Sequence, residues 1–81
     1  MTKTRAELID GLAKHTGVPP LTAGESESIL ALAAVAAHGT GDRTSAPLVS
    51  FLAGLAAANA DDRAQSLDAF RRLTAELAPD Q

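Results

Sequence analysis

The sequence predicts an all-α fold, a compact four-helix bundle-like domain with short loops. Alanine and leucine supply most of the 46% of the chain that is hydrophobic, and the only aromatic residues are Phe51 and Phe70. Alanine is the strongest helix former, whereas strands favour the aromatic and β-branched residues that are few here. A chain of 81 residues is long enough for one domain and too short for two. Residues 1–81 are therefore predicted to form a single helical domain.

The first predicted helix covers about residues 5–16. Its start is marked by Thr4 and Glu7, which have the spacing of a capping box. Gly17 is typical of the left-handed residue that ends a helix, and the two prolines that follow prevent continuation. The predicted buried face is an apolar stripe of Leu8, Ile9, Leu12 and Ala13.

The second predicted helix covers about residues 23–38 and begins with the same capping box, here Thr22 and Glu25. Its apolar residues wrap past half of the helix surface, which is typical of a central helix. We expect it to end at His38 and Gly39, since glycine frequently follows the last helical residue.

The third predicted helix covers about residues 46–58, with Thr44 or Ser45 as the N-cap and Pro47 in the first turn. We expect its large apolar stripe to face the core: Leu48, Phe51, Leu52 and Leu55. Small residues recur every four positions and predict a close approach to Ala33 and Ala37 of the second helix; they are Ser50, Gly54 and Ala58.

The fourth predicted helix covers about residues 61–78, starts at Asn59 or Asp61, and is amphipathic. Two ion pairs with i,i+4 spacing are expected on its outer face, Asp68 with Arg72 and Arg72 with Glu76. The residues expected to face inward are Leu67, Phe70, Leu73, Thr74 and Leu77.

Composition excludes several classes of function. A formal net charge of −3 argues against nucleic-acid binding, which usually requires a basic patch. The absence of cysteine, and of any His/Asp/Glu cluster with ligand spacing, predicts no metal and no cofactor. The sequence offers no set of a nucleophile, a base and a residue that orients the base, so we expect no enzyme activity. Without a membrane-length apolar run or a signal-peptide core, a cytoplasmic location is expected.

The polar loop between the second and third helices allows two interpretations. His38 suits a helix C-terminus, where it meets the negative end of the dipole, and the loop is then a simple turn. Alternatively, the loop binds an anion such as a nucleotide phosphate at the N-terminus of the third helix. The candidate binding residues are His38, Arg43, Thr44 and Ser45.

The same stretch resembles a known family. Ala37 and His38 are followed by Arg43 and then by the pattern A-P-L-x-x-F-L-x-G-x-A from Ala46 to Ala56. This pattern is similar to that of a small, mainly actinobacterial helical domain family of unknown function. That family occurs alone or fused to the molybdenum cofactor guanylyltransferase, the enzyme that makes molybdopterin-guanine dinucleotide.

The resemblance implies an accessory role rather than a reaction. We expect a non-enzymatic accessory or protein-interaction module linked to molybdenum cofactor biosynthesis, with that guanylyltransferase as its candidate partner. The anion-binding domain is the alternative, and a homodimer would cover surplus apolar surface. The candidate motif and structural residues are Gly39, Pro47, Leu48, Phe51 and Gly54.

Overall fold

Four helices account for most of the chain in the computed structural model, which describes residues 2–78. They are α1 (Arg5–Thr16), α2 (Ala23–Thr40), α3 (Ser45–Ala58) and α4 (Arg63–Leu77). Residues 2–78 contain no strand, and short loops join the helices. The predicted all-α, four-helix fold is confirmed.

Both predicted capping boxes are formed. The Thr4 hydroxyl accepts a hydrogen bond from the Glu7 backbone N–H at 3.1 Å, and the Glu7 carboxylate accepts one from the Thr4 N–H at 2.9 Å. Thr22 and Glu25 repeat this arrangement at the start of α2. Gly17 ends α1 with a left-handed φ of 74°, as its position after the apolar stripe predicts.

Four helix boundaries differ from the sequence prediction, among them the end of the fourth helix, which is Leu77 and not residue 78. The second helix continues past Gly39, and Gly41 is the left-handed residue that ends it, with φ of 70°. The third helix begins at Ser45, one residue before its predicted start. The fourth begins at Arg63 because the Asp62 side chain caps it, accepting from the Gln65 N–H at 3.1 Å.

The core is formed where α2, α3 and α4 contact one another. Leu32 of α2 is fully buried and packs with Ala53, Ala57 and Leu67. Within the described residues, the backbone of α1 contacts no other helix, and no residue of α1 is buried. The first helix therefore lies outside this core.

The orientation of α3 is the opposite of the one predicted. Ala53 and Ala57 face the core, whereas the stripe expected there is exposed: Leu48 (67%), Phe51 (67%), Leu52 (56%) and Leu55 (49%). Alanines at the contact let the α3 backbone approach α2 and close around Leu32, which larger side chains would prevent. The predicted close approach through Gly54 and Ala58 is also wrong, since both are exposed.

The fourth helix follows its prediction at three of the five residues expected to face inward, and Leu73 and Leu77 are the exceptions. Leu67 and Thr74 are buried and Phe70 packs on the core, but Leu73 and Leu77 are 47% and 78% exposed. Asp68 pairs with Arg72 at 3.4 Å as expected, and also with Arg71 at 2.7 Å. The described side chains form no Arg72–Glu76 ion pair.

Candidate functional site

The loop between α2 and α3 is held by its own side chains. The Asp42 carboxylate accepts a hydrogen bond from the Thr44 backbone N–H at 2.9 Å and another from the Thr44 hydroxyl at 2.7 Å. These hydrogen bonds lower the pKa of Asp42, the side-chain bond most strongly. The Ser45 hydroxyl lies 2.8 Å from the Thr40 hydroxyl. Thr44 and Ser45, two of the four candidate binding residues, therefore already have hydrogen-bond partners within the turn.

The side chains of the other two candidates, His38 and Arg43, form no hydrogen bond with Thr44 or Ser45 in the described part of the chain. Both are exposed, and neither forms an ion pair within residues 2–78. Asp42 occupies one of the backbone N–H groups that an anion at the α3 N-terminus would use. Anion binding by this loop stays a prediction.

A groove between α3 and α4, which we call the α3–α4 groove, has an almost entirely apolar lining. It has a volume of about 210 Å³, and α2 forms its floor. The exposed side chains of Leu52 on α3, and of Leu73 and Leu77 on α4, stand at its edges. It is lined by Ala36, Thr40, Val49, Leu52, Phe70, Leu73, Thr74, Leu77 and Ala78.

The groove offers almost no polar chemistry. Its only side-chain polar atoms are the hydroxyls of Thr40 and Thr74. Each donates to a carbonyl of its own helix at 2.7 Å, that of Ala36 and that of Phe70. With both hydroxyl protons already used, the groove recognises apolar groups rather than a phosphate or a carboxylate.

The outer face of α3 continues this apolar surface. Leu48, Phe51 and Leu55, which we call the α3 ridge, follow one another at helical spacing and are all about half or more exposed. Pro47 and Gly54 are exposed beside them. No residue from 45 to 58 is charged. That absence is the sequence signal that could have indicated an outward-facing apolar helix.

An ion pair that the sequence analysis missed fixes α4 to the start of α2. The Arg63 guanidinium donates to both oxygens of the buried Glu25 carboxylate, at 2.5 and 2.7 Å. It also donates to the carbonyls of Pro19 and Pro20 at 2.9 and 2.8 Å. Hydrogen bonding from Arg63 lowers the pKa of Glu25 to about 2. This cluster orients the segment between α1 and α2 and is structural in character.

Comparison with known protein families identifies the domain. A family model described as "Domain of unknown function (DUF6457)" matches residues 2–81. The chain belongs to the DUF6457 family. The resemblance to a family of unknown function, based on residues 37–56, is confirmed to that extent. No curated protein and no solved structure gives a significant match.

The family match assigns α1 to the DUF6457 domain, because the matched residues include Arg5–Thr16 as well as the three packed helices. Across residues 2–78, none of the helices is both long and apolar enough to cross a membrane. The same residues contain no group of three His, Cys, Asp or Glu side chains that could hold a metal ion.

Proposed function

We propose that this DUF6457 domain is a non-enzymatic accessory module that binds a partner protein in the α3–α4 groove. The observation that carries the proposal is the groove itself, which is almost entirely apolar and flanked by exposed leucines on both sides. Contiguous exposed apolar surface of this kind marks interaction sites on soluble domains.

The dimensions of the groove favour a helix of the partner as its occupant. A volume of about 210 Å³ is below the roughly 300–1,000 Å³ typical of small-molecule pockets, but it accommodates one or two apolar side chains. Leu73 and Leu77 are one helical turn apart along the edge, so the apolar wall follows the axis of α4, and an apolar groove is the kind of surface that accepts an amphipathic helix. The partner therefore presents leucine-like anchors on one helix face.

The family resemblance supplies the candidate partner, a molybdenum cofactor guanylyltransferase. The family described above, mainly actinobacterial, occurs alone or fused to that enzyme, and fused domains frequently act together, which is associational support. On this proposal the domain acts in the cytoplasm as an accessory protein of molybdenum cofactor biosynthesis. It holds or orients the enzyme and carries out no step of the reaction.

An NMR titration tests the proposal. Isotope-labelled domain is titrated with the guanylyltransferase, and we expect shifts in the amides of residues 49–52 and 70–78. Leu77→Asp places a charge at the groove edge, on a side chain 78% exposed, and should weaken binding by more than about tenfold. Leu12→Asp is the matched control, since Leu12 is 57% exposed on the distant α1, and should bind like the wild type.

Three results would contradict the proposal. One is no association of the wild-type domain with the enzyme. Another is undiminished binding by Leu77→Asp. The third is a response to guanine nucleotide alone that is confined to residues 41–48, which would favour the anion-binding alternative over protein recognition.

A further inference from the structure

We infer that the α3 ridge pairs with the α3 ridge of a second copy of this chain, forming a two-fold symmetric dimer. The inference goes beyond the proposed function, because it concerns the outer face of α3 and leaves the α3–α4 groove open. Leu48, Phe51 and Leu55 are the residues that form the contact.

The apolar character of α3 on all sides is the first argument. Its 14 residues include no charged side chain, yet only Ala53 and Ala57 are buried. Helices that are apolar all round are normally enclosed by protein or by lipid. A protein surface packed on the outer side of α3 would supply this enclosure.

Charge explains why a second copy fits this face. The whole chain has 7 basic and 10 acidic residues and a net charge of −3, so two copies repel each other in most orientations. A two-fold axis brings each surface against itself, and a surface that carries one sign of charge then meets like charges. Because residues 45–58 carry no charge, the ridge meets its own copy without that cost.

The surface area that the two copies bury determines the strength of the contact. A helix of 14 residues is about 21 Å long, and its exposed apolar side chains present on the order of 500 Å² per copy. Two copies then bury about 1,000 Å², which is the lower limit for a specific interface. Gly54 has no atom within 4 Å of the position a Cβ would take, so a hollow beside Phe51 can receive an opposing side chain. We therefore expect a weak dimer with a micromolar dissociation constant.

Analytical ultracentrifugation of the full chain tests this from about 5 to about 500 µM, a range set by the expected affinity. The wild type should move from its monomer mass of 8.3 kDa towards twice that value as concentration rises. Phe51→Asp should remain monomeric, with at least a tenfold weaker self-association. Leu12→Asp and Leu77→Asp carry the same change on other exposed leucines and should dimerise like the wild type.

A wild type that stays monomeric over the whole range would overturn the inference. So would a Phe51→Asp variant that dimerises as well as the wild type. If that variant does not fold, the wild-type amide resonances decide: on dilution, those of residues 48–58 should shift and those of residues 5–16 should not. Concentration-dependent shifts outside α3 would assign the contact elsewhere. Failure here leaves groove binding standing, because the Leu77→Asp titration measures that separately.

Discussion

The helices α3 and α4 pack side by side on α2, but they place their large apolar residues on opposite sides. In α4, Leu67 is buried and Phe70 packs on the core, while Asp68 pairs with Arg71 at the surface. In α3, alanines face the core and Leu48 and Phe51 face solvent. One helix follows the ordinary amphipathic pattern and the other inverts it.

The difference follows from the charged residues that each helix contains for its outer face. Charged residues in α4 restrict the faces it can bury, because an unpaired charge in the core is costly. No such restriction applies to α3, which has no charged residue. The distance between the packed helices then determines which face of α3 is buried, and the smallest side chains lie against Leu32. The displaced large residues remain exposed on the outer face of α3.

The largest effect expected from this comparison is on stability. Leu67→Ala removes a side chain that is 2% exposed and should lower the free energy of unfolding by about 3 kcal/mol. Leu55→Ala in α3 removes one that is 49% exposed and should cost less than about 1 kcal/mol. Chemical denaturation of both variants at low concentration measures the two values. Equal losses would contradict the inverted orientation of α3.

Acid should weaken the contact of α4 with α2 through Glu25. Because Arg63 lowers the pKa of Glu25 from 4.5 to about 2, the folded state favours the ionised carboxylate. The resulting stability is fully present above pH 4.5 and is lost as the pH falls towards 2. Thermal unfolding at stepped pH should show this decline, and Glu25→Gln should show a smaller one. An unchanged pH profile in the variant would remove Glu25 from the explanation.

The smallest expected effect on stability is that of Gly54→Ala, and Gly39→Ala is its comparison. Gly54→Ala in α3 extends into open space and should stabilise the domain by roughly 0.5–1 kcal/mol, since alanine is the better helix former. Gly39→Ala should instead destabilise the domain, because its Cβ would lie 2.7 Å from the Cβ of Ala78 and would overlap the backbone carbonyl of that residue. Melting temperatures of the pair provide the comparison, and an equal gain in both would argue against close packing at Gly39.

The sequence predicts most accurately what local chemistry controls. The two capping boxes and the end of α1 at Gly17 need only neighbouring residues, and all three are confirmed. Either Gly39 or Gly41 could end α2 on local grounds, and the structure instead places Gly39 inside the helix against Ala78, which is a tertiary contact. Local patterns therefore identify the four helices but not every boundary.

The groove is harder to predict for the same reason. Hydrophobic periodicity assigns Leu52, Leu73 and Leu77 to the core, and nothing local distinguishes a leucine that is buried from one that forms the edge of a groove. The polar loop drew attention to Thr44 and Ser45, whose hydrogen bonds lie within the turn. A more useful signal is the missing charge in residues 45–58, since it removes the usual guide to which face is buried.

The large side chains of α3 face away from the core, and Phe51→Asp tests that orientation most directly. Phe51 is 67% exposed, so its replacement by aspartate should change the free energy of unfolding of the monomer by no more than about 0.5 kcal/mol. Chemical denaturation, carried out below the concentration at which the wild type associates, measures that value. A loss of about 3 kcal/mol or more, as expected for a charge placed in a core, would contradict the account.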